Sequence, residues 1–103
     1  MSIYIAGPMT GIKDYNYPAF DDAERSLMAN GHEVLNPASN DEQFNPYGKE
    51  MPWDWYLRHA IRMLTKASSM AMLPGWEMSK GAMLEHNIGS ALSLDIRELA
   101  GWL

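Results

Sequence analysis

The stretch SMAMLPGWEMSKGAMLEHNIGSAL, from Ser69 to Leu92, decides the fold because a strand pattern is followed closely by a helix pattern. The run SMAML is short and apolar, which predicts a buried strand that ends at Pro74-Gly75. Apolar residues then recur at helical spacing and predict a helix over residues 79–92. The predicted buried face of this helix consists of Leu84, Ile88, Ala91 and Leu92.

The first third of the chain shows the same order of strand, loop and helix. SIYIA (Ser2–Ala6) predicts a second buried strand, which a Gly-Pro pair closes. A helix is expected from Tyr17 to Ala29, with Asn16 as its cap and Gly31 just beyond its end. Its predicted buried stripe consists of Phe20, Ala23, Leu27 and Met28.

The rest of the chain continues the alternation. HEVLNP (His32–Pro37) predicts a strand, and residues 37–50 are expected to form a loop rich in Asn, Pro and Gly. A helix is predicted from Pro52 to about Lys66, and a last strand near Leu94–Arg97. The expected apolar face of that helix consists of Trp53, Leu57, Ala60, Ile61 and Leu64.

Strands that alternate with helices predict an α/β fold. Four to five short strands would form a parallel sheet that helices cover on both faces. All 103 residues are expected to form one domain.

Glu85 has an unusual setting in the last predicted helix, because Gly81 and Gly89 flank it at i−4 and i+4. Each glycine inside a helix costs roughly 1 kcal/mol relative to alanine. On a helical wheel Glu85 lies just off the apolar stripe and leans toward the loop that precedes the helix. In parallel sheets, ligands bind beyond the carboxyl ends of the strands, where this loop lies. Glu85 is therefore either an acid that a ligand reaches, or a rim carboxylate between glycines that allow close helix–sheet packing.

Composition and charge exclude several classes of protein. The formal net charge is −5 and only eight residues are basic, so a nucleic acid polymer is not an expected partner. No apolar run approaches the ~20 residues that span a bilayer, and the N-terminus lacks the pattern of a signal peptide. No membrane association is expected, and the cytoplasm is the expected compartment.

No cofactor and no metal are expected. The chain has no cysteine, and His32, His59 and His86 lack the spacing of metal ligands. The segment AGPMTG is neither a dinucleotide-binding G-x-G-x-x-G motif nor a Walker loop. Trp76 follows Pro74-Gly75 directly and is the best candidate for a platform on which a flat ligand stacks.

Four segments of the chain carry a family resemblance: IYIAGPMTG, NYPAF, GHEVLNP and LPGWEMSKGAMLEHNIGSAL. Together they resemble a small group found largely in bacteria and their phages. That group is similar to a branch of the nucleoside 2-deoxyribosyltransferase superfamily, which also includes the deoxynucleoside monophosphate N-glycosidases. The resemblance covers nearly the whole chain, and Leu73–Glu85 is its most specific part. It implies a flavodoxin-like (Rossmann-like) three-layer α/β sandwich and cleavage of the N-glycosidic bond of nucleosides or nucleotides.

The resemblance also assigns roles to residues. The superfamily carries its nucleophile in a G-small-x-x-E setting, which matches Gly81, Ala82 and Glu85 in this chain. A carboxylate suits this role because it can capture an oxocarbenium-like C1′ as a covalent glycosyl-enzyme. Tyr4 matches a tyrosine that orients the glutamate, and Gly7 matches the tight turn beside the sugar.

Ser79, six residues before Glu85, bears on the substrate. By resemblance, an aspartate there contacts the sugar in the deoxyribosyltransferases, and a serine there binds the 5′-phosphate in the N-glycosidases. The chain departs from the superfamily at Ala60 and Ser68, which align with aspartates that hold or protonate the base. Asp14 or water would then take the acid role, or the role is absent.

Two functions therefore stay open. The first is an N-glycosidase or deoxyribosyltransferase that acts on a small-molecule nucleoside or nucleotide. The second is a non-catalytic protein that binds or sequesters nucleotides on the same fold. In either case a homo-oligomer, most simply a dimer, is expected, with the helix from Pro52 to Lys66 and the tail ELAGWL at the interface.

Overall fold

The fold was analysed in a computed structural model, which describes residues 2–45 and 47–103. Two residues of the predictions lie outside the described ones: Met1 of the expected domain and Pro46 of the expected loop 37–50. The strands are β1 (Ser2–Ala6), β2 (Glu33–Leu35), β3 (Ser69–Met72) and β4 (Asp95–Glu98). The helices are α1 (Tyr17–Ala29), α2 (Ser39–Phe44), α3 (Trp53–Leu64) and α4 (Lys80–Ala91).

The four strands form one parallel sheet in the order β2-β1-β3-β4. Tyr4 on β1 pairs with Leu35 on one side and with Met70 on the other. The chain runs outward from β1 to β2, then crosses back to β3, so the strand order reverses between β1 and β3. This order is that of the flavodoxin-like folds, whose ligands bind at the reversal. The predicted flavodoxin-like α/β sandwich with a small parallel sheet is confirmed.

The sheet has a core on each face because successive residues of a strand point to opposite sides. Ile3 and Ile5 pack with α1 and with Trp102 from the C-terminal turn. Tyr4 and Ala6 point the other way and pack with Leu64 of α3 and with the inner side of α4. The structure therefore has three layers, with α1 on one side of the sheet and α3 and α4 on the other.

Helix α1 has the predicted bounds, but two details of its prediction are wrong. Asn16 does not cap the helix with its side chain, because its backbone is left-handed (φ 61°) and its Nδ2 donates to the Pro8 carbonyl at 2.9 Å. Phe20 and Leu27 are buried as expected, whereas Met28 is 59% exposed.

Helix α2 was not predicted, because its sequence SNDEQF is polar and lies in a segment of loop composition. It begins after a turn that Asn36 organises. The Asn36 side chain accepts a hydrogen bond from the Ala38 backbone N–H at 3.0 Å, and the Ser39 hydroxyl donates to the Asn36 carbonyl at 2.7 Å. The helix brings side chains to the edge of the sheet where the strands end.

Helix α4 buries a different face from the predicted one. Ala82, Glu85 and Gly89 are buried, whereas Leu84 and Leu92 are 38% and 49% exposed. The reason is a close approach at Gly89, where an added Cβ would clash with Sδ of Met70 and lie 3.3 Å from Cδ1 of Ile96. Gly89 thus serves helix–sheet packing, and the packing turns Glu85 into the buried face. None of the helices in the described part of the chain is long and apolar enough to cross a membrane.

Candidate active site

Tyr4 and Glu85 form a buried pair between β1 and α4. The Tyr4 phenol donates a hydrogen bond to Oε2 of Glu85. Tyr4 has no exposed surface, and Glu85 is only 7% exposed. The second carboxylate oxygen, Oε1, has no hydrogen-bond partner among the described residues. Tyr4 therefore holds Glu85 through Oε2, and Oε1 is available to contact a ligand.

Burial dominates the acid–base behaviour of this pair. Loss of solvation raises the pKa of Glu85 from 4.5 to about 7, and the hydrogen bond from Tyr4 acts in the opposite direction. Burial and the neighbouring Glu85 carboxylate raise the pKa of Tyr4 well above its usual 10. Tyr4 is therefore a permanent hydrogen-bond donor near neutral pH, whereas Glu85 is present in both its charged and its neutral forms.

A cavity of about 660 Å³ includes Tyr4 and Glu85 in its wall. Residues from the loop after β1, from the start of α4, and from α1, α2 and α3 line the rest of it. The cavity thus lies beyond the carboxyl ends of the strands, at the place where the strand order reverses. Its volume is in the range of small-molecule sites, and ligands of such sheets bind at this position.

The start of α4 forms one part of the cavity wall, with Ser79, Lys80, Gly81 and Ala82. Oγ of Ser79 accepts a hydrogen bond from the Ala82 backbone N–H at 3.2 Å, so Ser79 caps the helix. At Gly81 the nearest atom to an added Cβ would be Cζ2 of Trp53, 4.0 Å away. A side chain would therefore fit at Gly81, and its absence widens the cavity.

Gly7 also lines the cavity, and close packing accounts for its identity. A Cβ at this position would lie 2.7 Å from Cβ of Leu73, which follows the neighbouring strand β3. The chain after β1 can pass Leu73 only without a side chain.

Aromatic side chains line another part of the cavity: Tyr15, Tyr17, Trp53 and Tyr56. Trp53, which the helical pattern placed in the core, is 50% exposed. The place of Tyr15 in the wall depends on three consecutive residues with a left-handed backbone, Asp14 to Asn16, whose φ angles are 54°, 52° and 61°. Such a run is uncommon outside glycine and is not readable from the sequence, which is why this wall was missed. Flat rings of this kind offer stacking surface to a flat ligand.

Two residues predicted for the site lie elsewhere in the structure. Trp76 does not line the cavity; its ring stacks on His86, with centroids 4.7 Å apart and planes 11° apart. His86 thus occupies one face of the Trp76 ring, and the ring lies outside the cavity in which a stacking platform was expected. Asp14 is exposed and, unlike its neighbour Tyr15, is not part of the cavity wall.

The positions that resemblance aligns with catalytic aspartates differ in location. Ala60 lines the cavity, so its methyl group stands where a carboxyl group was expected. Ser68 precedes β3 at the opposite end of the sheet, where it accepts a hydrogen bond from the Ser2 backbone N–H at 3.1 Å. It therefore takes no part in the site. Besides Glu85, the described part of the cavity wall contains one other carboxylate, that of the exposed residue Glu50.

A second cavity of about 580 Å³ differs in character, because it is lined by the carboxylates of Asp21, Glu24 and Asp41. Its acidic lining disfavours an anionic ligand. In the described part of the chain, no group of three or more His, Asp or Glu side chains is arranged to hold a metal ion.

The fold and the site together define a flavodoxin-like α/β protein with a buried carboxylate at the sheet edge where such folds bind ligands. Within that class, the model of the family described as "Domain of unknown function (DUF4406)" matches residues 1–98, and the chain therefore belongs to the DUF4406 family. No curated protein matches the chain. Because the family description states no activity, the function has to be argued from the site.

Proposed function

We propose that this protein cleaves the N-glycosidic bond of a nucleoside or nucleoside 5′-monophosphate, with Glu85 as the nucleophile. The observation that carries the proposal is the setting of Glu85. Its carboxylate is buried, held by the Tyr4 phenol through Oε2, and part of the wall of a cavity of about 660 Å³. A carboxylate fixed in one orientation beside a sugar-sized space suits a displacement at C1′.

The proposed reaction has two steps. In the first, Oε1 of Glu85 attacks C1′, the C1′–N bond breaks, and its electron pair leaves with the base, which takes a proton from water. In the second, water attacks C1′ of the glycosyl ester, loses a proton to solvent, and frees the sugar and the Glu85 carboxylate. If a second base attacks in place of water, the result is transfer. Tyr4 positions the carboxylate in both steps.

The start of α4 supports a monophosphate as the substrate. Oγ of Ser79 accepts the cap hydrogen bond, and its hydroxyl hydrogen remains available to donate to a phosphate oxygen. Unpaired N–H groups and the helix dipole favour an anion at a helix N-terminus by roughly 0.3–1 kcal/mol. Lys80 lines the same part of the cavity and adds a positive charge.

The test is incubation of the pure protein with a panel of nucleosides and 5′-monophosphates, followed by chromatography for free base. We expect base to be released from at least one monophosphate and not by the Glu85→Gln variant. Glu77→Gln is the matched control, because Glu77 is exposed and outside the cavity wall. Base release by Glu85→Gln at the wild-type rate would contradict the proposal.

Ala60 favours the second candidate function, a non-catalytic protein that binds or sequesters nucleotides. Its methyl group lines the cavity where the resemblance expects an acid that assists the leaving base. In that case a nucleotide would bind, as measured by calorimetry, while none of the panel yields free base.

We also propose that the protein is a homodimer, whose interface differs in part from the one expected from the sequence. Within the tail, Trp102 does not serve the interface, because it is only 8% exposed and donates from Nε1 to the Met70 carbonyl at 2.9 Å within its own chain, whereas Leu103 is 57% exposed. Phe44 of α2 and Trp53 of α3 are each 50% exposed and give that side of the molecule an apolar surface. Light scattering at tens of micromolar tests this, and a monomer would contradict it.

A further inference from the structure

Three asparagines in and around α2 are buried, and they differ in their hydrogen bonds. Asn36 donates to Asp21 and Glu24 and accepts from a backbone N–H. Asn45 donates to Asp41 and to the Lys49 carbonyl, and accepts from the Lys49 backbone N–H. These two side chains are fully used in holding the local structure.

Asn40 is different. It is only 5% exposed, yet its carboxamide has no hydrogen-bond partner among the described residues. Among the described residues, Nε1 of Trp76 is the one side-chain nitrogen or oxygen atom that has neither solvent contact nor a hydrogen-bond partner. The Asn40 carboxamide, which also lacks a partner, must therefore be in contact with solvent. Asn40 lines the cavity that contains Glu85. The carboxamide is therefore open to the cavity and not used by the protein, so it is available to pair with a ligand in place of water.

The strand order gives Asn40 a definite place relative to the other parts of the site. Asn40 follows β2, Ser79 follows β3, and β1 with Tyr4 lies between these two strands. The segments that carry Asn40 and Ser79 therefore follow strands on opposite sides of β1 and Tyr4. In a nucleotide, the base and the 5′-phosphate likewise extend from opposite sides of the sugar.

We propose that Asn40 is a specificity-determining residue that hydrogen-bonds the edge of the base. Its carbonyl oxygen accepts and its amino group donates, so it pairs with a base edge on which a donor adjoins an acceptor. Tyr17 and Tyr56, which line the same cavity, offer faces to the ring. The inference rests on the proposed function only in taking a nucleotide as the ligand; it does not require catalysis.

Calorimetry on the Glu85→Gln protein, which prevents turnover, tests the inference. The probes are the four common 2′-deoxynucleoside 5′-monophosphates and 2-deoxyribose 5-phosphate, which has no base. Adding Asn40→Leu should weaken the tightest-binding nucleotide by about tenfold or more. The same variant should bind 2-deoxyribose 5-phosphate as its parent does.

Thermal unfolding separates this role from a structural one. Asn40→Leu removes an amide that has no protein partner and keeps the number and branching of side-chain heavy atoms, with room for the larger methyl groups in the cavity, so its Tm should equal or exceed that of its parent. Asn45→Leu is the matched control and should lower the Tm, because it breaks the bonds to Asp41 and Lys49.

Each other outcome overturns the inference. A sharp fall in Tm or loss of folding in Asn40→Leu would make the residue structural. Unchanged nucleotide affinity, or an equal loss for 2-deoxyribose 5-phosphate, would remove the contact with the base. Failure of wild-type protein to release free base is a separate result: it would end the catalytic proposal and leave the role of Asn40 in binding intact.

Discussion

The Tyr4 phenol donates a hydrogen bond to the Glu85 carboxylate across the boundary between the sheet and α4. Each of the two side chains is buried, and neither would be stable there as an isolated charge. The bond lowers the pKa of Glu85, while burial raises it by a larger amount, to about 7. The balance of these two effects sets the pH at which the carboxylate can act.

Tyr4→Phe should shift the pH dependence of base release. A nucleophilic Glu85 must be ionised, so the wild-type rate should rise with pH through about 7. Removing the phenol removes the interaction that lowers the pKa of Glu85, so the midpoint should move upward and the rate at pH 7 should fall, by roughly tenfold for one unit. Initial rates of base release from pH 5 to pH 9 measure this, with Tyr47→Phe as the control because Tyr47 is 89% exposed. A Tyr4→Phe profile that overlays the wild-type profile would mean that the bond does not tune Glu85.

Glu85→Gln should stabilise the protein at high pH. The folded-state pKa of about 7 exceeds the ordinary 4.5, so the unfolded chain releases this proton first as the pH rises. The wild-type protein therefore loses stability between about pH 4.5 and pH 7 and recovers none above that. At pH 8 the variant should be more stable by up to about 3 kcal/mol, and at pH 4 by little.

Urea unfolding of Glu85→Gln at pH 4 and pH 8 makes this measurement. Glu77→Gln, at an exposed site, should show no comparable dependence on pH. From the sequence alone, a Glu85 just off the apolar stripe predicts little effect of its replacement on stability; the burial of Glu85 in the structure changes that expectation. A variant less stable than wild type at pH 8 would contradict the destabilising effect of a buried, ionised Glu85.

Ser79→Asp should change the preference between nucleotides and nucleosides. Aspartate caps a helix as well as serine does, so α4 should remain intact. Its charge would repel a phosphate, so affinity for a 5′-monophosphate should fall by about tenfold or more while affinity for the nucleoside changes little. Calorimetry with matched nucleoside and monophosphate pairs measures both. Equal affinity of the wild-type protein for the two members of a pair would leave Ser79 as a cap alone.

Replacement of the two glycines around Glu85 by alanine should change the free energy of unfolding in opposite directions. At Gly89 the new Cβ would meet the buried Met70, so Gly89→Ala should destabilise the fold by about 1–3 kcal/mol. At Gly81 the nearest atom is 4.0 Å away, so Gly81→Ala should stabilise α4 by about 0.5–1 kcal/mol. Urea unfolding of both variants measures this. Destabilisation by Gly81→Ala would show that the site needs glycine for packing as well.

The order of strands and helices could be predicted because each element carries its own local signal. Helix α1 is an example: Pro18 in its first turn and Gly31 beyond its end mark its limits, and the structure has the predicted bounds. The buried face of α4 could not be predicted from hydrophobicity. A tertiary contact decides it, since Gly89 lets the helix approach Met70, and that approach leaves Leu84 and Leu92 outside.

The candidate site was only partly predictable for a similar reason. Glu85 stands out because glycines flank it at i−4 and i+4, and Ser79 because of the family resemblance, six residues before Glu85. Tyr15 and Asn40 do not, because Tyr15 depends on consecutive left-handed residues and Asn40 on a short polar helix. Neither feature leaves a periodic pattern in the sequence. Part of the cavity wall therefore comes from segments without a periodic pattern, whereas Tyr4 and Glu85 come from a strand and a helix that the sequence predicts.

Mass spectrometry of the protein after acid quenching tests the central claim, that Glu85 is the nucleophile, most directly. The protein would first be incubated with a substrate from the panel or with its 2′-fluorinated analogue, in which fluorine slows hydrolysis of a glycosyl ester. We predict a mass increase equal to the sugar or sugar phosphate less one water, located on the peptide that contains Glu85 and absent from Glu85→Gln. Release of free base by wild-type protein with the adduct on another residue, or by Glu85→Gln at the wild-type rate, would contradict it.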